Sequence, residues 1–80
     1  MPLPERRIEA WVETATDALD RRYLTGREPP EFISTTQYAR GLDIIAQAAK
    51  DAAAEANELV ALHTLDKAAA MLGALGSVLA

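Results

Sequence analysis

Three sets of side chains in this sequence could do chemistry, and each is sparse. His63 is the sole histidine, with Asp66 three residues on and Glu58 five residues back. A histidine among carboxylates suits a metal ion or an acid–base pair. Metal sites need three or four converging ligands, so the spacing fits better a histidine at a helix end with a local hydrogen bond. Ser34, Thr35, Thr36 and Thr64 offer hydroxyls, but no base stands at a recognisable spacing, and a nucleophile needs one within hydrogen-bond reach. Cysteine is absent, which excludes thiol nucleophiles, cysteine–zinc sites and disulfides. The expectation is no catalytic residue, no metal, no cofactor and no enzyme activity.

The second set is Arg21, Arg22 and Arg27, gathered around the end of the first helical segment. Arginines there complement the negative pole of a helix; the functional alternative is contact with a phosphate or another anion. The third set is Glu5, Glu9, Glu13 and Asp17, each four residues from the last. That spacing places them on one helical ridge, where like charges cost a few tenths of a kcal/mol per pair. A solvated face explains such a ridge, and so does docking onto a basic partner. Asp17 also has Arg21 four residues on as a pairing option. A looser acidic set follows at Asp43, Asp51, Glu55 and Glu58.

Helices must position all of these. Ile8, Val12, Ala15, Leu19 and Tyr23, with Trp11 and Ala18 beside them, recur at intervals of three and four and predict an amphipathic helix over about 4–24. Pro2 and Pro4 suit its entrance, and Gly26 its exit. Trp11 reads as core, with Arg7 four residues before it as a possible cation–π neighbour. Pro29-Pro30 cannot continue a helix, so the next helix should run antiparallel. Ser34 and Gln37 read as a capping box, with Ile33 and Tyr38 as the hydrophobic staple. A second helix is therefore expected over about 35–62. Gly41 inside it costs roughly 1 kcal/mol against alanine, which close packing would offset.

Residues 46–58, AQAAKDAAAEANE, contain seven alanines and no large apolar side chain. Turning the chain about Pro30 brings Ile8, Trp11 and Val12 beside Ala52, Ala49 and Ala48, and large-against-small packing fills a core without voids. The rival is an alanine-to-alanine crossing between two copies of this helix. The stripe Tyr38, Leu42, Ile45, Ala49, Ala52, Ala56, Leu59 then runs into His63 and Asp66. A new phase starts at Leu65 and continues through Ala68 or Ala69, Leu72, Leu75 and Leu79. This shift predicts a break at His63-Thr64, Thr64 as a cap, and a third helix over about 65–79, with Met71, Leu72 and Leu75 folding back near Ala56 and Ala52. The alternative is one continuous helix.

The expected fold is an all-α antiparallel three-helix bundle, with residues 1–80 in one helical domain. Residues 68–80, AAAMLGALGSVLA, carry no charge. A helix apolar all round is normally buried all round, and two short helices cannot enclose a third. The segment is too short to span a bilayer, which takes about 20 residues. Self-association through Met71, Leu72, Leu75, Val78 and Leu79 is the expectation, helped by a small-residue ridge at Ala69, Gly73 and Ser77. The net charge of −4 disfavours nucleic acid, whose binders carry a basic footprint. MPLPERRIEA has no apolar run of the kind a secretory signal needs, so a cytoplasmic location is expected. Alanine and arginine richness with little lysine fits a GC-rich bacterial or phage source.

These observations point to a non-catalytic helical interaction or assembly module, a homo-oligomer of regulatory or phage type. The first alternative is an acidic inhibitor or antitoxin-like protein that offers the Glu5–Asp17 ridge to a basic site on another protein. The second is a small nucleic-acid-binding regulator using Arg21, Arg22 and Arg27.

Overall fold

The computed structural model describes residues 1–23 and 35–77, with side chains for all of these except Tyr23, Thr35 and residues 75–77. Three helices follow in order: α1 Glu5–Tyr23, α2 Thr35–Ala54 and α3 Glu58–Ser77. The expected Pro29-Pro30 turn, the Gly26 cap, Ile33, Ser34 and Arg27 lie outside the described residues, as do Val78 and Leu79.

α1 begins where its sequence allows. The Pro4 carbonyl accepts the Arg7 and Ile8 amides at 3.0 and 3.2 Å, so the missing proline N–H costs nothing. Glu5 lies in the first turn and Arg21 and Arg22 in the last, each complementing the nearer pole of the helix dipole. Ile8, Ala15 and Leu19 are buried and Trp11 and Val12 half-buried, so the predicted stripe is the packed face. Leu3, which the periodicity did not include, is buried just ahead of the helix and joins the same core.

α1 and α2 are antiparallel. Leu3 and Ile8 share a core cluster with Ala48, Ala52, Ala61, Leu65 and Ala68, while Ala15 and Leu19 pack with Ile45. Trp11 and Val12 touch both clusters and make them continuous. Leu19 also lies against Gly41, and these two stand equally far from Pro30 in the sequence. A Cβ at Gly41 would come within 2.7 Å of Leu19 Cδ1, so a glycine is what lets the Leu19 side chain lie on the α2 backbone. The Tyr38 hydroxyl donates to Asp20 Oδ1 at 2.5 Å and ties the same two helices together.

In the alanine-rich stretch Ala48 and Ala52 are buried and Ala49 is half-buried. Ala52 and Ala61 are fully buried, facing larger residues of α1 and α3. The large side chains come from Leu3, Ile8 and Leu65, each worth roughly 1.5–3 kcal/mol when fully buried. Ala46, Ala53, Ala54 and Ala56 remain exposed, so only one side of the stretch meets the core.

The second corner lies about two helical turns earlier than its expected place at His63-Thr64. α2 ends at Ala54 and α3 starts at Glu58. Asn57 is the reason. Its Oδ1 accepts the Leu59 and Val60 amides at 2.9 and 3.3 Å, and its carbonyl accepts the Ala61 amide at 3.0 Å. This is an N-cap, and asparagine is among the strongest. Glu55 Oε1 accepts the Asn57 amide at 3.2 Å and braces the turn. Thr64 is not a cap; its hydroxyl donates to the Val60 carbonyl at 3.0 Å from inside α3. The new apolar phase is real but begins at Ala61, passing through Leu62, Leu65 and Ala68 to Leu72. Leu72 therefore packs beside Ala15, Leu19 and Ile45, not near Ala52 or Ala56.

Candidate interaction surface

α2 and α3 approach closely because alanines line their contact, Ala48 and Ala52 on one side and Ala61 and Ala68 on the other. Longer side chains then stand on either flank. On the side facing away from α1 they enclose an open groove of about 1010 Å³. Ile44, Ala48 and Ala68 form its floor, Val60 and Met71 its apolar α3 wall. Arg40, Asp43, Gln47, Lys50 and Asp51 stand along the α2 rim, and His63 and Lys67 along the α3 rim. All seven rim residues are exposed. Gln47 Nε2 donates to Asp51 Oδ1 at 2.9 Å.

Apolar side chains continue beyond the groove around the outside of α3. Leu59, Val60 and Met71 are 76, 45 and 54% exposed, and Ala69, Ala70, Gly73 and Ala74 are exposed as well. A Cβ built on Gly73 would meet nothing within 4 Å. α3 packs chiefly on α2 and only lightly on α1. Of the residues expected in self-association, Met71 faces outward, while Leu72 is half-buried in the protomer's own core. The Leu75 side chain, Val78 and Leu79 lie outside the described residues.

The arginines near the end of α1 donate to carbonyls. Arg22 sends its two terminal nitrogens to the Leu72 and Gly73 carbonyls at 3.0 and 3.2 Å, joining α1 to the last turns of α3. Those carbonyls lie near the negative pole of α3, which favours a cation. A smaller cleft of about 290 Å³ lies between α1 and α3, with Trp11, Thr14, Ala18, Ala69 and Leu72 around it and Arg22 at its edge. Arg21 Nε reaches the Asp17 carbonyl, at 3.4 Å, rather than its carboxylate. Arg7 pairs with Glu58 across α1 and α3 at 3.6 Å. Both partners are well exposed, so this ion pair contributes at most about 1 kcal/mol.

Glu5, Glu9, Glu13 and Asp17 are all exposed along α1, as their spacing predicts. His63 stands exposed within α3 rather than at a helix end. Among the described residues no three histidine, aspartate or glutamate side chains converge as metal ligands. The hydrogen bond to Asp20, and after it partial burial and the Asp20 charge, raise the Tyr38 phenol above its ordinary pKa. Among the described residues no helix is long and apolar enough to cross a membrane.

Sequence reading took Asp43 and Asp51 as part of an acidic set and missed the cations that alternate with them along the α2 rim. Its cations, Arg40 and Lys50, stand in no run that draws the eye, and the signal lies in intervals of seven and eleven residues. Compared with models of protein families, with curated proteins and with solved structures, the chain matches none.

Proposed function

We propose that this chain is a non-catalytic helical interaction module that assembles with copies of itself, using the outer side of α3 and the groove it forms with α2. The observation that carries the reading is the outward apolar surface of α3. Leu59, Val60 and Met71 are uncovered while Leu65 and Ala68 are buried. Full burial of such a side chain contributes roughly 1.5–3 kcal/mol, and covering the part still exposed would supply a share of that towards association. The proposal shifts the expected surface. Met71 stays in it, Leu72 is largely used inside the protomer, and Val60 enters.

Light scattering after size exclusion tests this directly. A mass of two protomers or more at micromolar concentration is expected. Met71→Asp together with Val60→Asp should return the chain to a monomer with unchanged helix content. A monomeric parent throughout that range overturns the reading.

A second reading rests on the α1 ridge, whose four carboxylates face solvent. It makes the chain an acidic ligand for a basic protein site. Glu9→Lys with Glu13→Lys should then abolish capture of a purified basic partner while leaving the oligomer intact. Equal capture by parent and variant would end that reading.

A further inference from the structure

The α2 rim carries a sign pattern with a property of its own. Arg40 and Asp51 are eleven residues apart, Asp43 and Lys50 seven. At 3.6 residues per turn these are close to three and two whole turns. Each pair therefore lies along one line of the helix, and the two lines flank Gln47. All five residues are exposed. Among the described residues the ion pair within the protomer is Arg7 with Glu58, and none of Arg40, Asp43 or Lys50 takes part in it.

A uniformly charged partner fits this rim poorly. A nucleic acid would meet Asp43 and Asp51; a basic protein would meet Arg40, Lys50 and, across the groove, Lys67. The rim fits a surface whose signs run in the opposite order. From the N-terminal end its charges read plus, minus, plus, minus; from the C-terminal end they read minus, plus, minus, plus. Turning α2 end for end about Ala46 brings every charge to within about one residue of its opposite. The surface that meets this requirement is the rim of a second copy.

We infer that two copies meet with their α2 helices antiparallel, each α2 rim seated in the other's α2–α3 groove, Arg40 against the second copy's Asp51 and Asp43 against the second copy's Lys50. This rests on the self-association proposed above and specifies its geometry. A twofold contact repeats each pairing, giving two of each kind. The midpoints of the two pairs differ by one residue, about 1.5 Å along the axis, which arginine and lysine side chains span. Ala46 lies at the centre, so no charge meets its own copy on the α2 axis. Ile44, Val60 and Met71 supply the apolar area beneath. The rim charges set direction and register more than strength, as exposed pairs do.

Two charge-reversed chains test the register. One carries Arg40→Glu, the other Asp51→Arg, so that each alone sets like charges together at 40 against 51 and the mixture sets opposite ones. Alone, each should associate at least about tenfold more weakly than the parent. Mixed in equal amounts they should restore a dimer of one chain of each kind, seen by native mass spectrometry. As a control for bulk attraction, the Arg40→Glu chain mixed with Glu9→Lys, Glu13→Lys should give no such restoration. Circular dichroism checks that every variant stays helical, which exposure of the changed residues favours. If the parent itself is a monomer, the self-association reading falls and this inference with it. If the parent associates but the reversed chains still do so alone, or mixing restores nothing, the antiparallel α2 register is wrong while self-association stands.

Discussion

α1 and α3 differ little in length but divide their residues differently. α1 sorts them. Ile8, Ala15 and Leu19 turn inward, and Glu5, Glu9, Glu13 and Asp17 turn out. α3 sorts hardly at all. Leu65 and Ala68 are buried, yet Leu59, Val60 and Met71 on other sides stay in solvent. A helix that faces water everywhere outside its core contact needs polar residues there; α3 supplies them only in part, at Glu58, His63, Asp66 and Lys67. The contrast separates a helix whose described large apolar residues all pack inside the protomer from one with apolar area left to place, and it is the reason the proposed self-association surface is put on α3 and its groove.

The sharpest test of that contrast compares two leucines within α3. Leu65→Ala should cost about 2–5 kcal/mol of stability, as buried leucine truncations do. Leu59→Ala should change it by no more than about 0.5 kcal/mol. Chemical denaturation measures both, at a concentration low enough to keep the protomers apart. Equal costs would mean that the outer side of α3 is packed after all.

A smaller effect is expected at the α1–α2 contact. Gly41→Ala gains roughly 1 kcal/mol in helix propensity but forces a methyl against Leu19, and overpacking costs about 1–3 kcal/mol. A net loss of about 1 kcal/mol should appear. In a Leu19→Ala background the methyl has room, and the same change should stabilise. Simple additivity in that double-mutant cycle would break the assignment of Gly41 as a steric requirement. At the start of α3, Asn57→Ala should cost about 1 kcal/mol, whereas Thr64→Ala, which removes no cap, should cost less.

The smallest effect concerns pH. Tyr38 has a raised pKa in the folded protein, so the folded state holds its proton more tightly than the unfolded chain. That contribution is present in full below the ordinary tyrosine value of 10.0 and is lost as pH rises through the raised one. Alkaline melts should show stability falling in this range. Tyr38→Phe should flatten the decline; an identical slope would remove the Asp20 contact from the account.

Much of this was legible in the residues. Intervals of three and four found α1, and the alanines of 46–58 led to large-against-small packing, because both are local repeats with one physical cause. Pairing about Pro30 placed Ile8 and Trp11 beside the right alanines, since two straight helices leave little freedom of register. The corner at residues 55–57 was not legible in the same way. The stripe through Ala52, Ala56 and Leu59 continues without interruption on paper, and nothing in apolar periodicity registers one amide oxygen. Asn57 followed by Glu58 was the available signal, a cap with an acid behind it. Leu3 was missed because it precedes the helix whose core it joins. Tyr38 with Asp20, and Arg22 with the carbonyls of Leu72 and Gly73, depend on distances between helices that sequence spacing does not encode. On the α2 rim Asp43 and Asp51 were legible as acids, but the alternation with Arg40 and Lys50 was not, because it shows only when the helix is compared with its own reversal.

The corner between α2 and α3 has one more consequence. Neither proline nor glycine occurs at Glu55, Ala56 or Asn57, so no ring or missing side chain dictates the change of direction. It stands on the oxygens of Glu55 and Asn57, each hydrogen bond worth about 0.5–1.5 kcal/mol. Helix-forming residues press on it from both sides. The two acceptors thus fix where the chain turns, while Ala61, Leu65 and Ala68 packed on Ala48 and Ala52 keep it doubled back.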